Sequence, residues 1–98
     1  MFYPIYLNLE NRRVVVIGVG EVAERKVESL IGTGAAITVI SPEITPMLDS
    51  LAQENKIQIH RRAYASGDCA GAALVFSATD DAGVSRAVFS EAANAGAL

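Results

Sequence analysis

Six consecutive residues have the types and spacing to hold a diphosphate: Gly18-Val19-Gly20-Glu21-Val22-Ala23. In this Gly-x-Gly-x-x-Ala pattern each small residue has a physical reason. Gly18 lets the chain turn sharply. Gly20 has no Cβ, so a diphosphate can approach the backbone. Ala23 lets a helix pack closely on the preceding strand. The free N–H groups at the helix start, with the positive end of its dipole, then face the ligand's negative charge. The same pattern also fits a tight strand-to-helix turn that holds nothing. No Gly-Lys-Ser/Thr follows the glycines, which argues against an NTPase.

Two further segments could complete a dinucleotide site. A ribose is usually held by Asp or Glu at the end of the second strand, ~20 residues past the glycines. Here that end reads Ile40-Ser41-Pro42-Glu43, so the carboxylate comes two or three residues late. Glu43 could bend back to the ribose, Ser41 could serve with backbone groups, or Glu43 could only favour the next helix start. No Arg stands at the strand end to hold a 2′-phosphate, which favours NAD over NADP. The other segment is Ser77-Ala78-Thr79-Asp80-Asp81. Ala78 is small enough to let a cofactor pass, and Thr79 offers a hydroxyl. Asp80 fits a helix cap better than a chemical role.

The elements that must position these segments alternate. Val14-Val15-Val16-Ile17 is a β-branched run, as a strand covered on both faces requires. From Val22 the period becomes helical, with Ala23, Val27, Leu30 and Ile31 on one face, and Gly32 and Gly34 end the helix. A second strand is expected over 36–40. Thr45 reads as an N-cap before Pro46, opening a short helix with a stripe of Ile44, Met47, Leu48, Leu51 and Ala52, closed by Asn55. Ile57 and Ile59 alternate with Gln58 and His60, giving a third strand near an edge. Residues 63–72 read as loop or irregular helix. Leu74-Val75-Phe76 reads as a buried fourth strand. Asp80 or Asp81 would cap a last helix with Val84, Ala87, Val88 and Ala95 inward. Strands separated by helices run parallel with right-handed crossovers. The expected fold is therefore α/β, a Rossmann-like doubly wound parallel sheet, with residues 1–98 as one nucleotide-binding domain. Gly96 resembles a cap and Ala97-Leu98 the start of another strand. The pattern thus predicts a fragment or truncated product, cut before its next strand.

Composition narrows the classes. Fifty-one per cent of residues are hydrophobic and 19% charged, which suits a buried core rather than disorder. The net charge of −3 gives no basic face for nucleic acid. Arg12-Arg13, Arg25-Lys26 and Arg61-Arg62 read as solvated surface. The lone Cys69 cannot form an internal disulfide, and with the lone His60 it builds no zinc site. Both read as packing or surface residues. There is no signal peptide and no membrane-length apolar run, so a cytoplasmic protein is expected.

Several of these segments together resemble precorrin-2 dehydrogenase, the N-terminal module of siroheme synthases. They are Tyr3-Pro4-Ile5, Val16 through Lys26, Ser41 through Pro46, and Ala78-Thr79-Asp80-Asp81. The likeness runs in order over essentially the whole chain. It implies NAD-dependent oxidation of precorrin-2, a tetrapyrrole, to sirohydrochlorin, and in many members insertion of ferrous iron. It implies NAD contacts at Gly18, Gly20, Glu21 and Val22, at Pro42 and Glu43, and around Thr79 and Asp80. It also implies a homodimer at full length. Two positions depart from the family: Val19 stands where a third glycine is common, and Ser85 where Asn is usual. The family's catalytic carboxylate falls beyond Leu98, so the catalytic residue is unknown here. The chain alone is expected to bind NAD weakly and to be inactive. Alternatives are another dehydrogenase with the same half-fold, or a regulatory NAD-sensing domain without catalysis. The latter usually has a clear acidic residue where Ile40-Ser41 stand.

Overall fold

A computed structural model describes residues 4–18, 20–79, 82–94 and 96. The order is β1 (Arg13–Ile17), α1 (Glu21–Leu30), β2 (Ala36–Ile40), α2 (Pro46–Gln53), β3 (Gln58–His60), β4 (Leu74–Ser77) and α3 (Ala82–Asn94). All strand pairs are parallel, and the sheet order is β3-β2-β1-β4. The α/β Rossmann-like expectation holds.

The side-chain alternation of β1 explains the two layers. Val14 and Val16 point to one face and pack with Ala23, Val27 and Leu30 of α1, with Leu48 of α2, and with Ile37 and Val39. Val15 and Ile17 point to the other and pack with Ile40, Cys69, Ala72, and Val88 and Ala92 of α3. A strand sandwiched in this way can be continuously apolar, because neither face meets water. Three crossings determine the topology. Helices α1 and α2 step outward from β1 to β3 on one face. The chain then returns over the other face to lay β4 beside β1. The winding reverses between β1 and β4, where open α/β sheets bind ligands outside the strands' carboxyl ends.

Local signals behave as their chemistry requires. Thr45 caps α2, its Oγ1 accepting from the Leu48 N–H at 3.3 Å, and Pro46 opens the helix. Asn55 closes that segment at φ +61. Ile57 is buried just ahead of β3, which is an edge strand as expected.

Some expectations fail. The sequence pattern predicts a buried β4, but its apolar residues are only half-buried. The reason is its place: it is an edge of the described sheet, with only β1 beside it. In α3, Ala87 is exposed and the inward stripe is Val84, Val88 and Ala92, a strict i, i+4, i+8 row. Phe89 is 76% exposed on the same helix. Ala95 and the proposed caps Asp80 and Asp81 lie outside the described residues. Nor are all three basic pairs free surface. Arg13 is half-buried and donates from Nη2 to the Asp68 carbonyl at 2.8 Å. Arg62 holds the Asp68 carboxylate with both terminal nitrogens, at 2.8 and 2.6 Å. Arg61 pairs with Asp49 at 2.7 Å, on the surface.

Candidate functional site

The carboxyl ends of β1, β2 and β4 meet around one cavity of about 440 Å³. Ladder bonds fix its frame. The Gly18 N–H donates to Ile40 O at 3.0 Å, Ala78 N–H to Ile17 O at 2.7 Å, and Ser41 N–H to His60 O at 3.1 Å. These bonds extend the parallel sheet by one residue into the mouth.

Gly18 and Gly20 do different work. Both have positive φ, +114 and +103. A Cβ on Gly18 would stand 2.8 Å from Ala78 C and O and 3.0 Å from Thr79 N. The backbone after β4 is therefore laid directly against Gly18, a close approach only glycine allows. A Cβ on Gly20 would meet nothing within 4 Å. Gly20 is the N-cap of α1 and supplies no side-chain acceptor, so the first-turn N–H groups are not capped by it. Open space, uncapped donors and the helix dipole coincide there, which is what an anion requires. Glu21 and Glu24 in the same turn complement the dipole without a ligand and oppose a bound anion. Glu21 is exposed, which screens its share of that repulsion, whereas Glu24 is half-buried.

Of the residues expected from sequence, Gly18, Ser41, Pro42, Glu43 and Thr79 all line the cavity. Ser41 is buried there, whereas Pro42 and Glu43 are exposed. Gly20, Glu21 and Val22 are not in its wall. Gly20 caps α1, Glu21 and Val22 are its first two residues, and Val22 is 55% exposed. Asp80 lies outside the described residues. Ser85, which departs from the family's Asn, still makes a bond: its Oγ lies 3.0 Å from Ser77 Oγ at the end of β4.

Sequence reading missed the remaining wall, formed by Ala63 and Tyr64 after β3 and Val84 on α3. The 62–72 segment is tied down by two carboxylates. Asp68 accepts from Arg62 and from the Ala65 N–H at 2.7 Å. Glu91 of α3 accepts from the Tyr64 hydroxyl, the Gly67 N–H at 2.9 Å and the Cys69 N–H at 2.6 Å. The Arg62 hydrogen bond holds the Asp68 carboxyl below its usual range despite burial, and the Tyr64 hydroxyl does the same for Glu91. Burial, then the bond to Glu91, raises the Tyr64 phenol. Burial, then the Glu91 charge, pushes the Cys69 thiol up to about 11. Cys69 is thus an inert packing residue rather than a nucleophile. These partners lie up to 27 residues apart, with no period or motif to join them.

Across the turn, Lys26 lies over the Phe76 ring, 4.9 Å from its centroid. Among the described residues no group of three or more His, Cys, Asp or Glu could hold a metal, and no helix is long and apolar enough to cross a membrane.

Residues 5–98 match the family described as "Putative NAD(P)-binding". The chain belongs to this NAD(P)-binding family. As an NAD(P)-binding domain it has the cradle that a nicotinamide dinucleotide needs, since the space a Gly20 Cβ would fill is open. The domain is 40% identical over 97 residues to a siroheme synthase of Chromobacterium violaceum, covering 99% of this chain and 21% of that one. It is 33% identical over 85 residues to the precorrin-2 dehydrogenase of Bacillus subtilis, covering 87% of this chain and 52% of that one. A solved structure titled SirC, precorrin-2 dehydrogenase, superposes with a TM-score of 0.86 at 27% identity, over 90% of this chain and 44% of that one. The chain thus spans about a fifth of the siroheme synthase and about half of the precorrin-2 dehydrogenase it matches.

Proposed function

We propose that residues 1–98 form the NAD-binding domain of a precorrin-2 dehydrogenase, which oxidises precorrin-2 to sirohydrochlorin in siroheme biosynthesis. The observation that carries the reading is the cavity at the switch point between β1 and β4, with the uncapped start of α1 beside it. Similarity to proteins named siroheme synthase and precorrin-2 dehydrogenase gives the substrate. Those relatives are enzymes, which favours catalysis over a regulatory sensing role.

In this reading the backbone of Gly18 and Gly20 and the first-turn N–H groups of Glu21 and Val22 hold the diphosphate. Ser41, Pro42 and Glu43 hold the adenosine ribose. Thr79 borders the nicotinamide end, and Asp80 has the cofactor role that the family resemblance implies. When bound, NAD supplies the hydride acceptor. The chain's own residues bind and orient the cofactor and keep one side of the site dry, which is where positioning lowers a barrier. NAD is preferred over NADP because, among the described residues that line the cavity, the charged one is Glu43, whose carboxylate repels a 2′-phosphate. The protein works in the cytoplasm as a homodimer.

The test is direct. The full-length protein, given precorrin-2 and NAD, forms NADH and sirohydrochlorin, followed by absorbance. Tight binding of NAD without turnover, alongside an active control dehydrogenase, would leave a sensing role and overturn the enzyme.

A further inference from the structure

The Tyr64–Glu91 pair is not explained by the core. Tyr64 follows β3, lines the cavity, and packs on the same sheet face as Val84 of α3. Glu91 lies in the third turn of α3 and is not in the cavity wall. Its two oxygens take the Tyr64 hydroxyl and two backbone N–H groups, from Gly67 and Cys69. One carboxylate therefore joins the β3 side of the cleft to the helix on the β4 side, across the switch point. Arg62 and Asp68 fix the near end of the same loop. Such a tie costs ordering entropy for a ring that could have stayed free in water. It returns a held, half-buried aromatic face within a ligand cavity.

We propose that Tyr64 is the adenine-side wall of the cofactor cleft and that Glu91 is its positioning residue, acting from outside the cavity. The inference rests on the cofactor assignment above. Two observations place the ring at the adenine end. The β2–β3 ladder continues through the Ser41 N–H to His60 O, so residues 61–64 leave the sheet beside Ser41-Pro42-Glu43, the ribose end. The small Ala63 precedes Tyr64, and both share the cavity wall with Pro42. An adenine needs an apolar or aromatic face and gains from one already held in place.

Binding to the full-length protein separates the possibilities. NAD is titrated by calorimetry, and AMP and nicotinamide mononucleotide, the two halves of the cofactor, by ligand-observed NMR. Tyr64→Ala weakens NAD and AMP about tenfold, within the range for losing one base–aromatic contact, and leaves nicotinamide mononucleotide within about twofold. Glu91→Ala shows the same selective loss, because it releases the Gly67 and Cys69 N–H groups of the loop as well as the ring. Glu91→Gln keeps an acceptor for the hydroxyl and restores most of the AMP affinity. Tyr64→Phe keeps the ring without the tether and falls between wild type and Tyr64→Ala, which guards against a variant that fails to fold. Unchanged AMP affinity in Tyr64→Ala overturns the proposal, as does equal weakening of both halves. Failure of the wild-type protein to bind NAD would instead sink the cofactor assignment itself.

Discussion

The two glycines of the phosphate turn should fail in different ways when given a methyl group. Each sits at a φ that L side chains rarely adopt, +114 at Gly18 and +103 at Gly20, so alanine costs about 1–3 kcal/mol of backbone strain at either site. Only Gly18 adds a clash. Its Cβ would lie 2.8 Å from two atoms of Ala78 and 3.0 Å from Thr79 N, all backbone, while a Cβ at Gly20 meets nothing. Ala78 is held by its bond to Ile17 O at 2.7 Å and cannot swing away. Overpacking of this kind costs about 1–3 kcal/mol. The strain is common to both, so the difference between the variants isolates the clash. In a domain of this size each kcal/mol moves Tm by about 4–8 °C, so Gly18→Ala should melt roughly 4–24 °C below Gly20→Ala. Binding should reverse the order among the folded molecules. A methyl on Gly20 projects into the space reserved for the diphosphate and should weaken NAD at least tenfold, by calorimetry. If Gly20→Ala were the less stable variant, or bound NAD like wild type, the division of labour between the two glycines would be wrong.

Four other outcomes follow from the same geometry. Because hydrogen bonds lower the Asp68 and Glu91 carboxyls, their stabilisation is present above the ordinary carboxylate pKa of about 4 and is lost as pH falls through the lowered values. The urea midpoint should therefore fall in acid, and Asp68→Asn should flatten that slope. The Cys69 thiol has the opposite sign: raised from its ordinary 9.0 to about 11, it stabilises fully below 9 and loses that contribution as pH rises toward 11. A thiol reagent at pH 8 should accordingly modify Cys69 only as the protein unfolds. Glu43→Arg should improve NADP binding relative to NAD by at least tenfold in parallel titrations, by replacing a repelling charge with a 2′-phosphate partner. Thr45→Ala, which removes the acceptor for the Leu48 N–H, should cost about 0.5–2 kcal/mol in denaturant unfolding without altering NAD affinity.

Much of this was legible because the strongest signals are local. The β-branched run over 14–17, the glycine turn, and Thr45-Pro46 each carry their cause within a few residues, and each lies where it was expected. Three candidate segments far apart in sequence line one cavity because parallel strands must send their carboxyl ends to one edge. What was not legible depends on distance or on neighbours. Tyr64, Asp68 and Glu91 are ordinary polar residues until folding joins them, and no spacing announces a bond across 27 positions. Phe76 and Val75 have the composition of a covered strand, but their burial depends on what stands at the edge beyond β4. Arg13 looked like one half of a surface pair and instead reaches the Asp68 carbonyl, because β1 begins beside the returning loop. The Gly18 pattern is local, but the atoms that require a glycine there, those of Ala78 and Thr79, lie some sixty positions downstream.

The central claim is that the amide groups at the start of α1 grip a diphosphate at the carboxyl edge of the sheet. Amide NMR of the labelled protein during an NAD titration addresses it residue by residue. The account predicts large shifts at Gly18, Gly20, Glu21 and Val22, smaller ones at Ser41 and Thr79, and none at Ala36 or Lys56 on the opposite edge. Shifts centred on that opposite edge, or a quiet glycine turn under saturating NAD, would contradict it.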